Sequence, residues 1–322
     1  MNCTDANTTD PWSSELVLAL GIFQVLTNLT AVACNCAVIV TILHGKHFRR
    51  PIYILFCSLA SSDLLTSISG LWVSLLFIEK PESTIYGSED LLRVYSMNAI
   101  GLLATIYNLM SIGIERYLTV SSWANLRFKV SKRQSLTAVL VNWGLALLLG
   151  SLPLLGWNCS ELGMTSNLYN PLCIDYLVFI TVPTGMVAFG CIFVTYVAII
   201  AILKKQKTRL AAHDFPNNKR PTYRPAEDRV TRTSIAIWIL TAVSYLPFFV
   251  GVLWDACTAV CPQKLKLGVF IFRNVASVMF TVNAIGNPII YTLKAKNFRS
   301  ALNSLRCASK DNRVHVRTVE GN

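Results

Sequence analysis

Long stretches of apolar residues with almost no charge recur along this chain, and they constrain its fold more than any other feature. Windows of about 20 residues hold at most one or two charges, and about 20 such residues span the hydrocarbon core of a bilayer as a helix. Backbone groups in lipid must be satisfied within their own segment, so these windows become helices. We predict seven spans, at roughly residues 15–43, 52–78, 91–120, 134–155, 176–203, 230–254 and 265–293.

The composition agrees with lipid rather than water as the surrounding medium. Only 14% of the 322 residues are charged and 53% are apolar, whereas a soluble domain carries about 25% charged residues. A large soluble helical protein is the alternative, but its helices would show a polar stripe, which most of these windows lack. We therefore predict an all-α membrane protein, with a seven-transmembrane helix bundle at residues 15–293 after an extracellular N-terminus at residues 1–14.

The net charge of +12 comes mostly from a few connecting segments. Residues 44–50, 116–133, 204–232 and 294–322 hold 24 of the 29 Lys and Arg residues. In a seven-span topology all four segments fall on one side, and the positive-inside rule makes that side the cytoplasm. This distribution favours a multi-pass protein of the plasma membrane with an extracellular N-terminus, and it speaks against nucleic-acid binding.

The chain after the seventh span is predicted to stay at the inner membrane surface. Residues 294–307 have apolar side chains on one helical face and basic ones elsewhere, which predicts a short amphipathic helix. Cys307 lies in this basic juxtamembrane segment and is a predicted palmitoylation site. Residues 308–322 are polar and are predicted to form a disordered cytoplasmic tail.

The predicted outer segments carry candidate modification sites. Sequences of the type Asn-x-Ser/Thr, which accept N-glycosylation, begin at Asn2, Asn7 and Asn158. Cysteines occur as two pairs, each within one outer loop, and these are Cys159 with Cys173 and Cys257 with Cys261. Short-loop disulfides persist in an oxidising compartment, so both pairs are predicted to be bridged. Cys3 is left over and stays an alternative partner for the second outer loop.

A lone carboxylate, Asp63, lies near the middle of the second span. Polar residues inside a span are expensive, so each is a functional candidate. Asp63 is either a protonated or hydrogen-bonded structural acid or the centre of a cation site, because hard cations take oxygen ligands. In the second interpretation a regulatory sodium ion is the one predicted cofactor, and its neutral oxygen donors are Asn35, Thr105, Asn283 and Asn287. Pro288 removes a backbone hydrogen bond nearby and weakens the seventh span locally, which suits a switch that includes Tyr291.

The cytoplasmic end of the third span reads Glu115-Arg116-Tyr117. Glu115 can hold Arg116 in a bidentate ion pair, and Glu227 at the start of the sixth span is a second candidate partner. A pair that joins the third and sixth spans would hold the cytoplasmic face closed, and its rupture would free Arg116. An ordinary interfacial salt bridge is the alternative interpretation.

Together, these motifs resemble the signature of the rhodopsin-like (class A) G protein-coupled receptors. The residues that carry the resemblance are Asn35, the run 59–63, Glu115-Arg116-Tyr117, Trp143, Pro247 and Asn287-Pro288-x-x-Tyr291. The resemblance covers about residues 15–307. It implies ligand-driven activation of heterotrimeric G proteins, with Arg116 in contact with the G protein and arrestin as a second cytoplasmic partner.

Departures from the usual pattern of that family narrow the subfamily. Residues 86–96 contain no cysteine, where most members have one, and Ala188 stands where most have a proline in the fifth span. Both absences are shared by the cluster of lysophospholipid, cannabinoid and melanocortin receptors. Within this cluster, residues 155–159 resemble the second outer loop of the sphingosine-1-phosphate and lysophosphatidic acid receptors.

The resemblance implies a ligand site between the outer halves of the third, fifth, sixth and seventh spans. Arg93 and Arg273 are the cations predicted to face it, and arginine is a good phosphate partner. The remaining predicted ligand contacts are Tyr95, Asn98, Leu102, Tyr245, Phe248, Phe249 and Ser277. Snorkelling at the interface is the alternative for each arginine. Val94 stands where lysophospholipid receptors carry their arginine, and Arg93 points about 100° away from it.

The sequence therefore predicts a receptor that transduces an extracellular, lysophospholipid-like lipid to heterotrimeric G proteins of the inhibitory type. A peptide-activated (melanocortin-like) or constitutively active receptor is the alternative. A transporter would need more than one buried acid, and no enzyme is predicted because motifs such as HExxH and GxSxG are lacking. The expected partners are the G protein, arrestin, the extracellular ligand and membrane lipids, but not nucleic acid.

Overall fold

The computed structural model is built from helices. It describes residues 13–45, 50–125, 130–159, 166, 168–212, 225–257 and 267–294. Only the backbone is described for residues 85–86, 122–125, 206–207, 209–212, 225–230 and 291–294. Within this part of the chain no strand occurs, apart from an isolated bridge between Asn158 and Leu172.

All seven predicted spans are helices. In chain order the helices are α1 (Ser14–His44), α2 (Pro51–Glu79), α3 (Pro81–Tyr86), α4 (Glu89–Asn125), α5 (Lys132–Gly150), α6 (Ile174–Tyr176), α7 (Val182–Ala212), α8 (Pro225–Cys257) and α9 (Leu267–Lys294). A π-helical turn, Leu177–Thr181, joins α6 to α7, so that the three form the fifth span. The short α3 joins the second span to the third and was not predicted from the sequence. The prediction of a seven-helix bundle is confirmed.

Six of the seven spans are long and apolar enough to cross a membrane. Among the described spans, the fourth, α5, falls short of the other six. Three polar residues, Lys132, Arg133 and Gln134, occupy the start of its 19 residues. The other 16 rise about 24 Å at 1.5 Å each, somewhat less than a bilayer core of about 30 Å. The helix ends at Gly150, before the predicted residue 155, because Pro153 cannot continue its hydrogen bonds.

Burial in the bundle is the reverse of burial in a soluble protein. Large apolar side chains face outward, and the exposed fraction is 70% for both Leu43 and Met186 and 67% for Phe179. Polar side chains face inward, and Asn35 and Asp63 are almost completely buried. Lipid tails solvate the apolar exterior, while the polar groups must find partners inside the bundle. This arrangement is that of a multi-pass membrane protein.

The second outer loop folds back into the outer end of the bundle. A disulfide joins Cys159 to Cys173, as predicted. Ser166 Oγ donates a hydrogen bond of 2.6 Å to Asp255 Oδ2 near the end of the sixth span. Between these two anchors, Tyr169 is buried, with an exposed fraction of 8%. The loop therefore covers the mouth of the bundle.

Several predicted features fall outside the described residues and stay predictions. They are Asn2, Asn7, Cys261, Cys307, the amphipathic helix at 294–307 and the side chains of Glu227 and Tyr291. Cys257, the predicted partner of Cys261, is exposed at the end of α8. Asn158 is described, and its Nδ2 donates a hydrogen bond of 2.9 Å to the backbone oxygen of Pro153.

Candidate functional site

A cavity of about 80 Å³ opens in the outer half of the bundle. Six of the predicted ligand contacts line it, namely Tyr95, Asn98, Leu102, Phe248, Arg273 and Ser277. The wall also includes Gln24 from the first span and Val73 and Phe77 from the second. The cavity therefore reaches toward the first and second spans, whereas the sequence predicted a chamber bounded by the third, fifth, sixth and seventh.

Two predicted ligand contacts, Tyr245 and Phe249, are not among the residues that line the cavity, and they lie next to it. Tyr245 is 1% exposed and packs against Phe280, with ring centroids 5.2 Å apart. Phe249 packs edge-on against Phe189 at 6.2 Å and against Phe248 at 5.3 Å. The Phe189–Phe249 contact therefore lies between the fifth and sixth spans, and the Tyr245–Phe280 contact lies between the sixth and seventh.

Arg273 lies at the outer end of the cavity and is held there by neutral partners. Its Nη2 donates hydrogen bonds of 2.5 Å to the backbone oxygen of Thr84 and to the hydroxyl of Tyr95. The guanidinium carbon also lies 5.9 Å from the centre of the Tyr95 ring, within range of a cation–π contact. No carboxylate among the described residues pairs with Arg273. Its charge is therefore available to an anion in the cavity.

The structure does not bring Arg93 into the wall of this cavity. It lies on the outside of the third span, where it pairs with Glu89 at 3.2 Å and Asp90 at 3.4 Å and is 59% exposed in its side chain. The next residue, Val94, is completely buried. One residue along a helix is a rotation of about 100°, which is enough to turn Arg93 away from the bundle.

The second outer loop contributes cavity residues that the sequence did not identify. Tyr169 and Leu172 both line the wall. The Tyr169 ring packs against Phe248 at 5.1 Å and edge-on to Tyr95 at 6.4 Å. Burial raises the pKa of the Tyr169 hydroxyl, which therefore stays protonated at neutral pH. Only the predicted disulfide signalled that this loop is fixed near the bundle.

The polar residues predicted around Asp63 come together in the middle of the bundle. Asn287 Nδ2 donates a hydrogen bond of 2.6 Å to Asp63 Oδ2, and Thr105 Oγ1 lies 3.4 Å from Asp63 Oδ1. Asn35 Nδ2 donates to the backbone oxygen of Ala284 at 2.9 Å, which joins the first span to the seventh. The second, third and seventh spans thus share one buried carboxylate.

The donor set at Asp63 fits a small hard cation. Within the described part of the chain, the side-chain oxygens of Asn35 and Asn287 are buried without hydrogen-bond partners. Asn283 turns its oxygen to Thr241, whose Oγ1 donates a hydrogen bond of 2.7 Å. A carboxylate with neutral oxygens nearby suits sodium, and the residues that could hold it are Asp63, Thr105, Asn35 and Asn287.

At the cytoplasmic end of the third span, Glu115 and Arg116 form the predicted bidentate pair. Arg116 Nε donates to Glu115 Oε2 at 2.5 Å, and Arg116 Nη2 donates to Oε1 at 2.6 Å. Thr119 Oγ1 adds a hydrogen bond of 3.2 Å to the same carboxylate. Tyr117 is partly buried and packs on the inner apolar core. Arg116 is therefore latched within its own helix.

The chain matches one known protein family over most of its length. The family model described as 7 transmembrane receptor (rhodopsin family) matches residues 34–291. The chain is a rhodopsin-family receptor. This family is one of G protein-coupled receptors and not of enzymes.

The receptor is similar to lysophosphatidic acid receptors along almost its whole length. It is 27% identical over 304 residues to lysophosphatidic acid receptor 1-A of Xenopus laevis, which covers 94% of this chain and 78% of that one. It is 26% identical over 299 residues to lysophosphatidic acid receptor 1 of Homo sapiens, and the match covers 92% of this chain and 78% of that one. Squid rhodopsin shares the fold with a TM-score of 0.75 at 21% identity, over 92% of this chain and 87% of that one.

The receptor's Trp143 joins three spans through a buried hydrogen-bond network. Trp143 Nε1 donates to Ser58 Oγ at 3.0 Å, and Ser58 Oγ donates to Asn108 Oδ1 at 3.0 Å. Asn142 Nδ2 donates to the same Asn108 oxygen at 3.2 Å and to Ser111 Oγ at 2.9 Å. This network holds the second, third and fourth spans against one another.

Proposed function

We propose that this receptor is activated by an extracellular lipid with an anionic head and that it signals through heterotrimeric G proteins of the inhibitory class. Coupling to G proteins and recognition of an extracellular ligand follow from the family. The observation that carries the lipid proposal is the position of Arg273, a cation with neutral partners at the outer end of an apolar cavity. The names of its relatives, the lysophosphatidic acid receptors, support the same ligand class.

The chemistry of the cavity supports a ligand with a charged head and an apolar tail. The guanidinium offers several N–H donors in a plane, which match carboxylate or phosphate oxygens. Apolar walls from Phe77, Leu102 and Phe248 suit an acyl chain, whose burial contributes about 0.8 kcal/mol per CH₂ group. Amine or purely polar ligands would leave most of this wall without a partner.

Ligand binding requires the second outer loop to move. Ligand pockets usually enclose about 300–1,000 Å³, whereas this cavity measures about 80 Å³. Tyr169 and Leu172 occupy the space next to it. An acyl chain therefore pushes these two side chains aside while they stay over the head of the ligand, and binding is coupled to rearrangement of the outer end of the bundle.

The same two spans connect the ligand site to the cytoplasmic face. The third span carries Tyr95 at the cavity and Arg116 at the inner end, and the seventh carries Arg273 and Asn287. A ligand that draws Arg273 from Tyr95 shifts the seventh span against the third. The bond between Asn287 and the buried carboxylate then rearranges, and release of Arg116 opens the G protein site.

Four further features belong to this proposal. The N-terminus faces the outside of the plasma membrane, as the basic segments indicate. A sodium ion at Asp63 stabilises the inactive state. Glycans at the outer sequons and a palmitoyl group at Cys307 complete the mature receptor. Arrestin binds the same open cytoplasmic face as the G protein.

Ligand-independent activity is a second candidate function, favoured by the small volume of the cavity. Tyr169 already contacts Tyr95 and Phe248, which a ligand would also contact, and Leu172 lines the same wall. In that case the loop itself acts as the ligand, and signalling without added lipid is high. Activity recorded from receptor-expressing cells in lipid-free medium separates the two candidates.

The test records G protein activation with an energy-transfer reporter in cells that express the receptor. The panel contains 1-oleoyl-lysophosphatidic acid, sphingosine-1-phosphate, an endocannabinoid and a melanocortin peptide, with and without pertussis toxin. We expect an anionic lipid to activate, toxin to abolish the response, and Arg273→Ala to raise the EC50 at least tenfold. Arg93→Ala is the matched control and leaves the EC50 unchanged. Activation by the peptide alone, or an unaffected Arg273→Ala variant, contradicts the proposal.

A further inference from the structure

The cavity offers a ligand one positive charge. Among the described residues, Arg273 is the single Lys or Arg in the cavity wall. Arg93 lies outside the bundle and is already paired with acids. The partners of Arg273 are a backbone oxygen of Thr84 and a hydroxyl of Tyr95, which are both neutral. A ligand with one negative charge therefore neutralises the positive charge of the described part of the cavity wall.

Two hydroxyl groups add uncharged donors beside this cation. The Tyr95 oxygen accepts from Arg273, so its own proton can be donated into the cavity. The Tyr169 hydroxyl is buried without a hydrogen-bond partner in the described part of the chain. A carboxylate or a phosphodiester can accept from Arg273 and both tyrosines at once, which satisfies a buried donor that otherwise lacks a partner.

A third buried group requires a donor from the ligand. Asn98 lines the cavity, and its buried Oδ1 has no hydrogen-bond partner within the described residues. Asn98 follows Tyr95 by three residues in α4, about 4.5 Å further along the helix axis. An N–H or O–H group placed just inside the ligand's anionic head would reach this oxygen.

We propose that the ligand is a lipid with a single negative charge and an N–H or O–H donor next to its head, as in an N-acyl amino acid or a lysophosphodiester. This inference rests on the proposed lipid function and narrows it. A phosphate monoester carries a charge of about −1.5 to −2 at pH 7. Under Tyr169 and Leu172 its second charge would be buried without a counter-charge, which is strongly unfavourable.

The charge is tested with ligands that share an oleoyl tail. The dianion is 1-oleoyl-lysophosphatidic acid, and the monoanions are its phosphate methyl ester and N-oleoylglycine. On the wild-type receptor, we expect each monoanion to have an EC50 at least about tenfold lower than that of the dianion. A tenfold difference corresponds to about 1.4 kcal/mol, and the burial of one unpaired charge costs more than that. Asn274 also lines the cavity. Asn274→Lys adds a second cation to the wall and shifts the ratio of EC50 values about tenfold toward the dianion, whereas Asn274→Gln leaves the ratio unchanged.

The donor is tested with N-oleoylglycine and N-oleoylsarcosine, in which a methyl group replaces the amide hydrogen. We expect the wild-type receptor to prefer N-oleoylglycine by about fivefold or more, which is typical of one satisfied buried hydrogen bond. Asn98→Leu abolishes this preference because the acceptor is gone. A response of the variant to N-oleoylsarcosine at unchanged EC50 shows that it is folded.

The outcomes separate this inference from the function on which it rests. If 1-oleoyl-lysophosphatidic acid is more potent than the monoanions on the wild-type receptor, the inference of a single ligand charge is wrong, but the proposed lipid function stands. Silence toward every lipid overturns both. Lys264 and Lys266 lie outside the described residues. If the inference holds, a receptor in which both are changed to Gln has the same ratio of EC50 values between monoanion and dianion as the wild type. A tenfold change in that ratio reveals a second cation and overturns it.

Discussion

Substitution of Glu115 by Gln is predicted to raise the activity of the receptor in the absence of ligand. Both carboxylate oxygens of Glu115 accept hydrogen bonds from Arg116, at 2.5 and 2.6 Å, and the side chains are 7% and 4% exposed. A Gln side chain keeps one oxygen acceptor but removes the negative charge and the second acceptor. Arg116 is then held less strongly within its own helix and is more often available to the G protein.

The magnitude follows from the two hydrogen bonds. Bonds to a charged group contribute about 1.5–3 kcal/mol and neutral bonds about 0.5–1.5 kcal/mol. Loss of the charge from the pair therefore weakens the latch by about 2 kcal/mol, which is roughly a 30-fold change in an equilibrium. A receptor whose active state is populated to about 1% without ligand would rise to roughly a quarter.

The assay measures G protein activation in lipid-free medium at matched surface expression. Thr119→Val is the control, because it removes one hydrogen bond of 3.2 Å to Glu115 and leaves the ion pair intact. Its effect on ligand-free activity is predicted to stay below about threefold, because this bond is longer than an ordinary O–H···O bond and Glu115 keeps its ion pair with Arg116. If Glu115→Gln is no more active than wild type, the latch does not restrain the receptor and this reasoning is refuted.

Three further predictions concern the core and the outer loop. Asp63→Asn is expected to abolish the inhibition of ligand-free activity by sodium chloride relative to choline chloride; equal inhibition of both proteins contradicts a sodium site. Ser58→Ala leaves Trp143 Nε1 without its acceptor and removes one of the two donors to Asn108 Oδ1, and it is expected to cost about 1–3 kcal/mol, seen as a lower melting temperature in detergent. Asp255→Ala removes the acceptor of Ser166 and is expected to speed hydrogen exchange in residues 168–173 at least about tenfold; unchanged exchange would mean that the loop is fixed by its disulfide alone.

Much of the architecture could be predicted from local patterns. The seven spans follow from apolar windows, which lipid forces to be helical whatever their neighbours. Asp63 and Asn287 could be paired in advance because a buried carboxylate needs polar partners and few polar residues lie within the spans. The pair of Glu115 and Arg116 followed from adjacency and charge alone.

The ligand cavity could not be predicted to the same depth because it depends on rotation and on tertiary packing. Arg93 was predicted to face inward, but the third span turns Val94 to the core instead. Gln24 and Tyr169 line the cavity although they are far from the third span in sequence. The backbone N–H of Tyr169 donates to Ser166 Oγ, and Ser166 Oγ donates to Asp255, a long-range link that no local pattern predicts.

Reversal of the charge at residue 273 tests most directly whether that arginine binds the ligand's head. The measurement compares EC50 values of wild type and Arg273→Glu for N-oleoylglycine and for N-oleoylethylenediamine, which has the same tail and amide but an ammonium head. We predict that the variant loses at least about a hundredfold in potency for the anion, because an attraction becomes a repulsion in a poorly solvated site, and that it responds to the cation instead. If the variant responds to N-oleoylglycine as the wild type does, the head of the ligand does not bind at Arg273.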